Sequence, residues 1–225
     1  MTTSYDDTWL VIPLYNEATV IGDVVSRARE LFPHVVCVND GSLDDSGRQA
    51  LDAGAVVVDH PINLGQGAAL QTGIAYALAQ PGAEYFVTFD ADGQHRPEDA
   101  VAMVETLRAG GADVVFGSRF LDDRTDPGVL KKIVLKAAIA FSNLTSGVHL
   151  TDSHNGLRAL NRTAAAALDI KQNRMAHASE IVEQVGRLRL RYTEIPVHVL
   201  YTEYSRSKGQ SLLNSVNILT ELLYR

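Results

Sequence analysis

The chain has 225 residues, of which 46% are hydrophobic and 21% charged, and it carries a formal net charge of −7. That length suffices for one sizeable domain with a proper core. Nothing in the sequence supplies the broad basic surface that a nucleic-acid binder needs. In chain order, a strand is expected over 8–14 (TWLVIPL), then a helix over 18–32, where apolar residues recur at helical spacing. Short β-branched runs over 34–40 (HVVCVND) and 55–60 (AVVVDH) predict two more strands. A helix follows over 67–80 and a strand over 84–90 (EYFVTFD). The next helix, over 96–110, opens on Pro97 and acidic residues and ends at glycine. The run over 112–120 (ADVVFGSRF) supplies one more strand. Continuous apolar strands between helices imply an α/β fold with a mostly parallel central sheet covered on both faces.

After residue 120 the alternation breaks. DDRTDPG is a polar loop, and the spacing predicts a helix over 129–144. At about 100° per residue, Lys131, Lys132, Lys136 and Asn143 share one arc of that helix. Leu130, Ile133, Val134, Ala137, Phe141 and Leu144 fill the opposite arc. A strand-like run spans 191–204, and a final amphipathic helix spans 211–225. The apolar faces of these two helices suit either the core or an anionic membrane surface, where each basic residue contributes about 1 kcal/mol. No uncharged stretch approaches the roughly 20 apolar residues of a spanning helix. The N-terminal MTTSYDDTW lacks the basic and apolar regions of a signal peptide. The single Cys37 sits in an expected strand and cannot make an internal disulfide, which favours a reducing compartment. The expectation is a cytoplasmic protein.

Ligands of open α/β sheets bind at the carboxyl ends of the strands, and each acidic or glycine motif here falls at such an end. Asn16 and Glu17 follow the first strand in IPLYNE. Asp40 ends the second and is followed by Gly41, which permits a sharp turn. An acidic residue there can hydrogen-bond a base or ribose edge, although NDGS is also an ordinary turn. In NLGQGAAL, Gly65 and Gly67 flank Gln66 before a helix whose free N–H groups can meet phosphate, or simply start the helix.

FVTFDADGQH is the strongest signal. Asp90 and Asp92 stand one residue apart and point the same way if the extended geometry persists. Two like charges held that close repel unless a cation sits between them. An EF-hand fails, because His95 and Val101 occupy the positions of its glycine and its last glutamate. The oxygen ligands Asp90, Asp92 and Gln94 suit a hard cation, Mg²⁺ or Mn²⁺, rather than zinc. Such a cation completes its shell with water and substrate phosphates, so the pair is expected to clamp a nucleotide diphosphate.

In this order and spacing, IPLYNE, VNDGSLDDS, NLGQGAAL, FDADGQH, GSRF and TDSHNGLRAL resemble the inverting glycosyltransferases of family 2. The polyprenyl-phosphate sugar transferases, of the dolichol-phosphate mannosyltransferase-like kind, look nearest. NRMAHASE and YTEYSRSKGQS look like a bacterial subgroup, and the similarity covers nearly the whole chain. The resemblance implies a single Rossmann-like, nucleotide-sugar-binding domain of glycosyltransferase A type, with 1–120 as the nucleotide-sugar half and 121–225 as the acceptor half. It implies that Pro13, Tyr15, Glu17 and Asp40 hold the nucleoside, with Gly65 and Gln66 also on the nucleotide, and that Asp90, Asp92 and Gln94 form the metal and diphosphate site. Arg119 matches an arginine near the donor or acceptor phosphate, and Asp152 an acidic residue at the reaction centre. Arg206 and Lys208 look like donor-phosphate contacts. Relatives often carry arginine after GSRF; here Arg124 lies in a polar loop and the following helix carries Lys131, Lys132 and Lys136. Lys132 and Lys136 are therefore the acceptor-phosphate candidates beside Arg119, as point charges without the fork of arginine.

The expected reaction moves a hexose or N-acetylhexosamine from a nucleotide-diphosphate sugar to polyprenyl phosphate. Catalysis is assigned to Asp92, Arg119 and Asp152, with Arg206 and Lys208 neutralising the leaving diphosphate together with the metal. A lipid phosphate is already anionic near neutral pH and barely needs a base, so Asp152 would orient the site. A carbohydrate hydroxyl as acceptor would need a base, and Asp152 is the leading candidate. A catalytically silent nucleotide-sugar-binding subunit is the alternative from another class; the intact Asp90, Asp92, Arg206 and Lys208 argue against it. His95, His154 and His177 lack zinc-ligand spacing and are read as hydrogen-bonding residues of the site wall. The expected place of work is the cytoplasmic face of a membrane, with a separate membrane protein as anchor.

Overall fold

The computed structural model describes residues 4–122, 139, 143, 146–153, 155–173 and 176–200. Its elements run β1 (Thr8–Leu14), α1 (Ile21–Arg29), β2 (His34–Asp40), α2 (Ser46–Asp52), β3 (Val56–His60), α3 (Gln66–Leu78) and β4 (Tyr85–Thr88). They continue with α4 (Pro97–Arg108), β5 (Val114–Ser118), β6 (Arg158–Asn161), α5 (Arg162–Ala167), α6 (His177–Arg187) and β7 (Tyr192–Pro196). The strands form one seven-stranded sheet in the order β3-β2-β1-β4-β6-β5-β7. All pairings are parallel except those of β6, which runs antiparallel to both β4 and β5.

Strand alternation sends each apolar run to two cores, which is why the strands carry no polar face. Leu10, Ile12 and Leu14 of β1 join Val87 and Val115 against α1 and α4. Trp9 and Val11 join Phe86, Val114 and Phe116 against α3, α5 and α6. Each fully buried side chain of this kind contributes about 1.5–3 kcal/mol, so two-sided burial dominates the stability. Helix α3 lies close on the sheet because Gly73 presents no side chain; a Cβ there would overlap Val11. Helix α4 starts as its sequence announces, with Pro97 at the first turn beside Glu98 and Asp99 and with Arg108 in the last turn.

The structure departs from the sequence expectations in particular places. Helix α2 was hidden inside an acidic turn motif, where Ser46 begins a short helix of weak apolar pattern. Strand β4 stops at Thr88, not at residue 90, and the chain then turns through 91 and 92, with Gly93 at φ 76°. Strand β6 is only four residues long and contains a charge, so no alternation marked it. Strand β7 ends at Pro196, which has no N–H to continue the ladder. Apart from Ile139 and Asn143, the expected helix over 129–144 lies outside the described residues, as do the expected helix over 211–225 and the strand-like run beyond 200. No helix of the described residues is long and apolar enough to cross a membrane.

Candidate active site

Strand order reverses direction between β1 and β4, the place where an open α/β sheet leaves a crevice at its carboxyl edge. A cavity of about 410 Å³ occupies it. The ends of β1, β2 and β4 send Pro13, Tyr15, Glu17, Asp40, Asp90 and Asp92 to its wall. The start of α3 adds Gly65 and Gln66, and β6 and α6 add Gly156, Arg158 and His177.

Asp40 is 3% exposed, and its role in the structure is internal. One oxygen accepts the Leu64 N–H at 2.8 Å and the other the Gly65 N–H at 2.7 Å. His60 Nδ1 lies 2.7 Å from the first of these oxygens, and His60 Nε2 lies 3.0 Å from the Thr72 hydroxyl. Asp40 thus ties the loop before α3 to the sheet. The glycines of that loop were expected to offer N–H groups to phosphate, and here the structure corrects the reasoning. The Gly65 N–H goes to Asp40, and the Gly67 N–H donates to the Asn173 carbonyl at 3.0 Å. Their missing side chains let residues 172–173 pass; a Cβ on either glycine would overlap the carbonyl oxygen of Asn173 or Gln172. Neighbouring loops interlock likewise: Leu43 N–H donates to the Asn16 side chain at 2.9 Å and Glu17 N–H to the Ser46 hydroxyl at 2.7 Å.

Because β4 ends early, Asp90 and Asp92 sit in a turn and have different surroundings. Asp90 Oδ2 lies 2.9 Å from His95 Nε2, and its Oδ1 accepts from the Gln66 amide at 3.3 Å. Burial opposes the charge of Asp90, but the hydrogen bond and charge of His95, with His177 and Arg158, outweigh it and hold the pKa below the ordinary value. For Asp92 the balance is reversed: burial, then the charge of Asp90, push it up to about 6. The Gln94 backbone N–H donates to Asp92 at 3.0 Å, and the Gln94 side chain is not part of the cavity wall. Among the described residues no three His, Cys, Asp or Glu side chains form a complete metal cage. A pair of oxygen-donor carboxylates in mutual repulsion does fit Mg²⁺ or Mn²⁺, which take one or two carboxylates and fill the shell from substrate and water. Asp92, whose charge is the less compensated, is the residue that would hold it.

Arg119 and Asp152 lie elsewhere, outside the cavity wall. Arg119 donates to both carboxylate oxygens of Asp152, at 2.6 and 3.1 Å, and adds its backbone N–H at 3.2 Å. Asp152 is 1% exposed. Glu194 braces this loop, accepting from the Thr151 N–H at 2.9 Å and from the Asp152 N–H at 3.2 Å. Lys132, Lys136, Arg206 and Lys208, with Arg124, Lys131 and His154, fall outside the described residues.

Arg158 was missed by the sequence reasoning. It lines the cavity at 2% exposure, donates to the Ser153 carbonyl at 3.3 Å, and its Nε has no hydrogen-bond partner among the described residues. Burial draws its pKa down to about 10, against the pull of Asp90 and Asp152. The available signal was a lone arginine in the apolar run GLRAL, since a charge is fully buried only where it has partners.

The mostly parallel sheet in this strand order, with its cavity at the switch point, has the architecture of the glycosyltransferase A-type fold. The solved structure of glucosyl-3-phosphoglycerate synthase from Mycobacterium tuberculosis with phosphoglyceric acid has this architecture, at a TM-score of 0.75 and 20% identity over 96% of this chain and 79% of that one. The same synthase with Mn²⁺, UDP-glucose and phosphoglyceric acid matches at a TM-score of 0.71 and 18% identity, over 96% of this chain and 78% of that one. Residues 9–167 match Glycosyl transferase family 2, and the chain belongs to that family. It is 30% identical to the UDP-N-acetylglucosamine–dolichyl-phosphate N-acetylglucosaminyltransferase of Methanococcus voltae, over 96% of this chain and 94% of that protein. It is also 30% identical to the polyprenol monophosphomannose synthase of Mycolicibacterium smegmatis, over 94% of this chain and 82% of that protein.

Proposed function

We propose that the chain transfers a hexose or N-acetylhexosamine, with inversion, from a nucleotide-diphosphate sugar to a polyprenyl phosphate, with Mg²⁺ or Mn²⁺. The observation that carries this reading is the charge of the cavity. Glu17, Asp40, Asp90 and Asp92 line it, and among the described residues Arg158 is the one arginine of the wall. A diphosphate cannot enter so acidic a space unless a cation comes with it. Asp92 would hold that cation, which would supply neutralisation of the charge on the leaving diphosphate. The names of the two relatives support the acceptor, one a dolichyl phosphate and the other a polyprenol phosphate. The solved synthase in complex with Mn²⁺ and UDP-glucose supports the metal and the donor.

The chain's own groups divide the remaining work. Asp40 holds the floor at Gly65 in place, and Pro13, Tyr15 and Glu17 form the wall on the nucleoside side. Asp152 has both oxygens on Arg119, so it orients that arginine instead of accepting a proton. Such an arrangement suits an acceptor that is already ionised, as a phosphate monoester with a second pKa of about 6 is. Lys132 and Lys136 are assigned to the acceptor phosphate, and Arg206 and Lys208 to the donor, on the sequence. The protein would then work at the cytoplasmic surface of a membrane, where its lipid acceptor lies.

The test is incubation with UDP-, GDP- and dTDP-sugars, a short-chain polyprenyl phosphate and Mn²⁺ or Mg²⁺, followed by mass spectrometry of the lipid. A glycosylated lipid that disappears with a chelator is the expected result. Metal-dependent nucleotide release without a lipid product would overturn the acceptor, and neither product would overturn the donor site.

A further inference from the structure

Strand β6 runs antiparallel to its neighbours, so its beginning, not its end, reaches the carboxyl ends of β4 and β5. That reversal brings the turn 155–158 under the cavity. The Gly156 carbonyl accepts from the Thr88 hydroxyl at 2.6 Å, which locks the turn to the last residue of β4, two positions before Asp90. The carboxylate of Asp90 rests on the Cα of Gly156. A Cβ on Gly156 would overlap Oδ2 and lie 2.8 Å from both Oδ1 and Cγ. Gly67 and Gly41 meet backbone in the same way, but among the described residues the three atoms nearest a Cβ on Gly156 all belong to the Asp90 carboxyl group. The backbone of Gly156 has no positive φ. Left-handed backbone strain therefore does not reserve the position for glycine, and the space Asp90 fills is what excludes a side chain.

Two residues further on, at the first residue of β6, Arg158 lines the same cavity as Gly156. It is buried in the cavity wall, the charges of Asp90 and Asp152 act on it, and its Nε has no partner among the described residues. An uncompensated carboxylate in this position, next to Asp92, would shed its charge or swing away.

We infer that Gly156 and Arg158 are positioning residues for Asp90, the glycine as the seat of its carboxylate and the arginine as its internal counter-charge. The inference rests on the reading of the cavity as the donor site. Seat, counter-charge and the bonds from His95 and Gln66 fix Asp90 before any ligand arrives, so the cavity presents one preset carboxylate and leaves Asp92 to meet the cation.

A double-mutant cycle tests it. Gly156→Ala is made in the native chain and in Asp90→Ala, and Mn²⁺-dependent binding of UDP and GDP is measured by calorimetry, with thermal midpoints alongside. Gly156→Ala should weaken binding about tenfold in the native chain and less than about twofold with Asp90→Ala, where no carboxylate remains to be displaced. Its loss of thermal stability should shrink in the same way. Arg158→Lys should retain more affinity than Arg158→Met, because it keeps the charge. Equal losses from Gly156→Ala in both backgrounds would overturn the inference, and so would failure of Gly156→Ala to fold in both. Folding only in the Asp90→Ala background would support it. If the native chain binds neither nucleotide, the donor-site reading fails, and the thermal cycle alone still decides whether residues 156 and 90 are coupled.

Discussion

Asp92 and Asp152 are both aspartates beyond the carboxyl edge of one sheet, and the fold treats their charges in opposite ways. Asp152 is sealed from solvent and matched oxygen by oxygen to the Arg119 guanidinium. Asp92 borders an open cavity, with the charges of Asp90 and Glu17 nearby, and its pKa rises to about 6. One region spends its charge on structure, while the other keeps charge unsatisfied for something that arrives from outside. The difference separates a scaffold from a binding site more sharply than residue type does, since both motifs offer the same functional group.

The largest effect should come from Asp92→Asn, which keeps the shape and removes the charge. It is expected to lower kcat/KM for sugar transfer by about 10²–10³-fold, the scale of losing one electrostatic stabiliser. Steady-state kinetics with saturating Mn²⁺ would measure it, and unchanged kinetics would place the cation elsewhere. Asp152→Asn should act on stability instead, because it strands a buried guanidinium. Breaking such a pair costs about 3 kcal/mol or more, which urea denaturation would read. At a temperature where the variant stays folded, transfer should persist within about tenfold, since the loss of an orienting contact is smaller than the loss of a base. Abolished transfer in a folded Asp152→Asn protein would break the comparison and make Asp152 a base.

Much of this contrast was legible in the sequence, and the reasons differ from element to element. The strands β1, β2 and β3 were readable almost to the residue, because two-sided burial demands runs such as TWLVIPL, and Asp40 or Asn16 marks where the apolar run ends. The pairing of Asp90 with Asp92 was readable as a cavity motif, but not its asymmetry. That depends on His95 turning back onto Asp90, a contact set by the turn at Gly93 and not by strand alternation. The glycines around Gln66 were read as a phosphate contact or a helix start; backbone carbonyls of residues 172 and 173 occupy the space their side chains would need. Strand β6 and Arg158 were illegible for a related reason. A four-residue strand held between two neighbours owes its conformation to them, and a buried arginine is intelligible only once the charges of Asp90 and Asp152 are known to act on it.

The same asymmetry predicts how pH acts, with a smaller effect. A cation needs Asp92 ionised, so metal affinity should be flat above pH 6 and fall by about tenfold per unit below it. Asp92→Asn should abolish that slope, whereas a slope surviving the substitution would assign it to another group. Stability of the metal-free protein should move the other way. The raised folded pKa means that the native state holds the proton more tightly than the unfolded chain, whose carboxyl titrates near 3.8. The Asp92 contribution therefore grows as pH falls from about 6 towards 4 and is lost as pH rises again through 6. Thermal midpoints in a chelator, compared with those of Asp92→Asn, would isolate it.

The smallest effect is expected at Gln94, which shares a motif with Asp92 but not its position. Its backbone N–H holds Asp92 at 3.0 Å and its carbonyl accepts from Leu200 at 2.9 Å, and both groups survive loss of the side chain. Gln94→Ala should change Mn²⁺ affinity by less than about twofold, the range of a substitution that removes no key contact. A loss of about tenfold or more would mean that the side chain swings into the cavity when the cation binds. The line between fixed scaffold and adaptable site would then run through the DADGQH turn itself, with Asp90 on one side and Asp92 and Gln94 on the other.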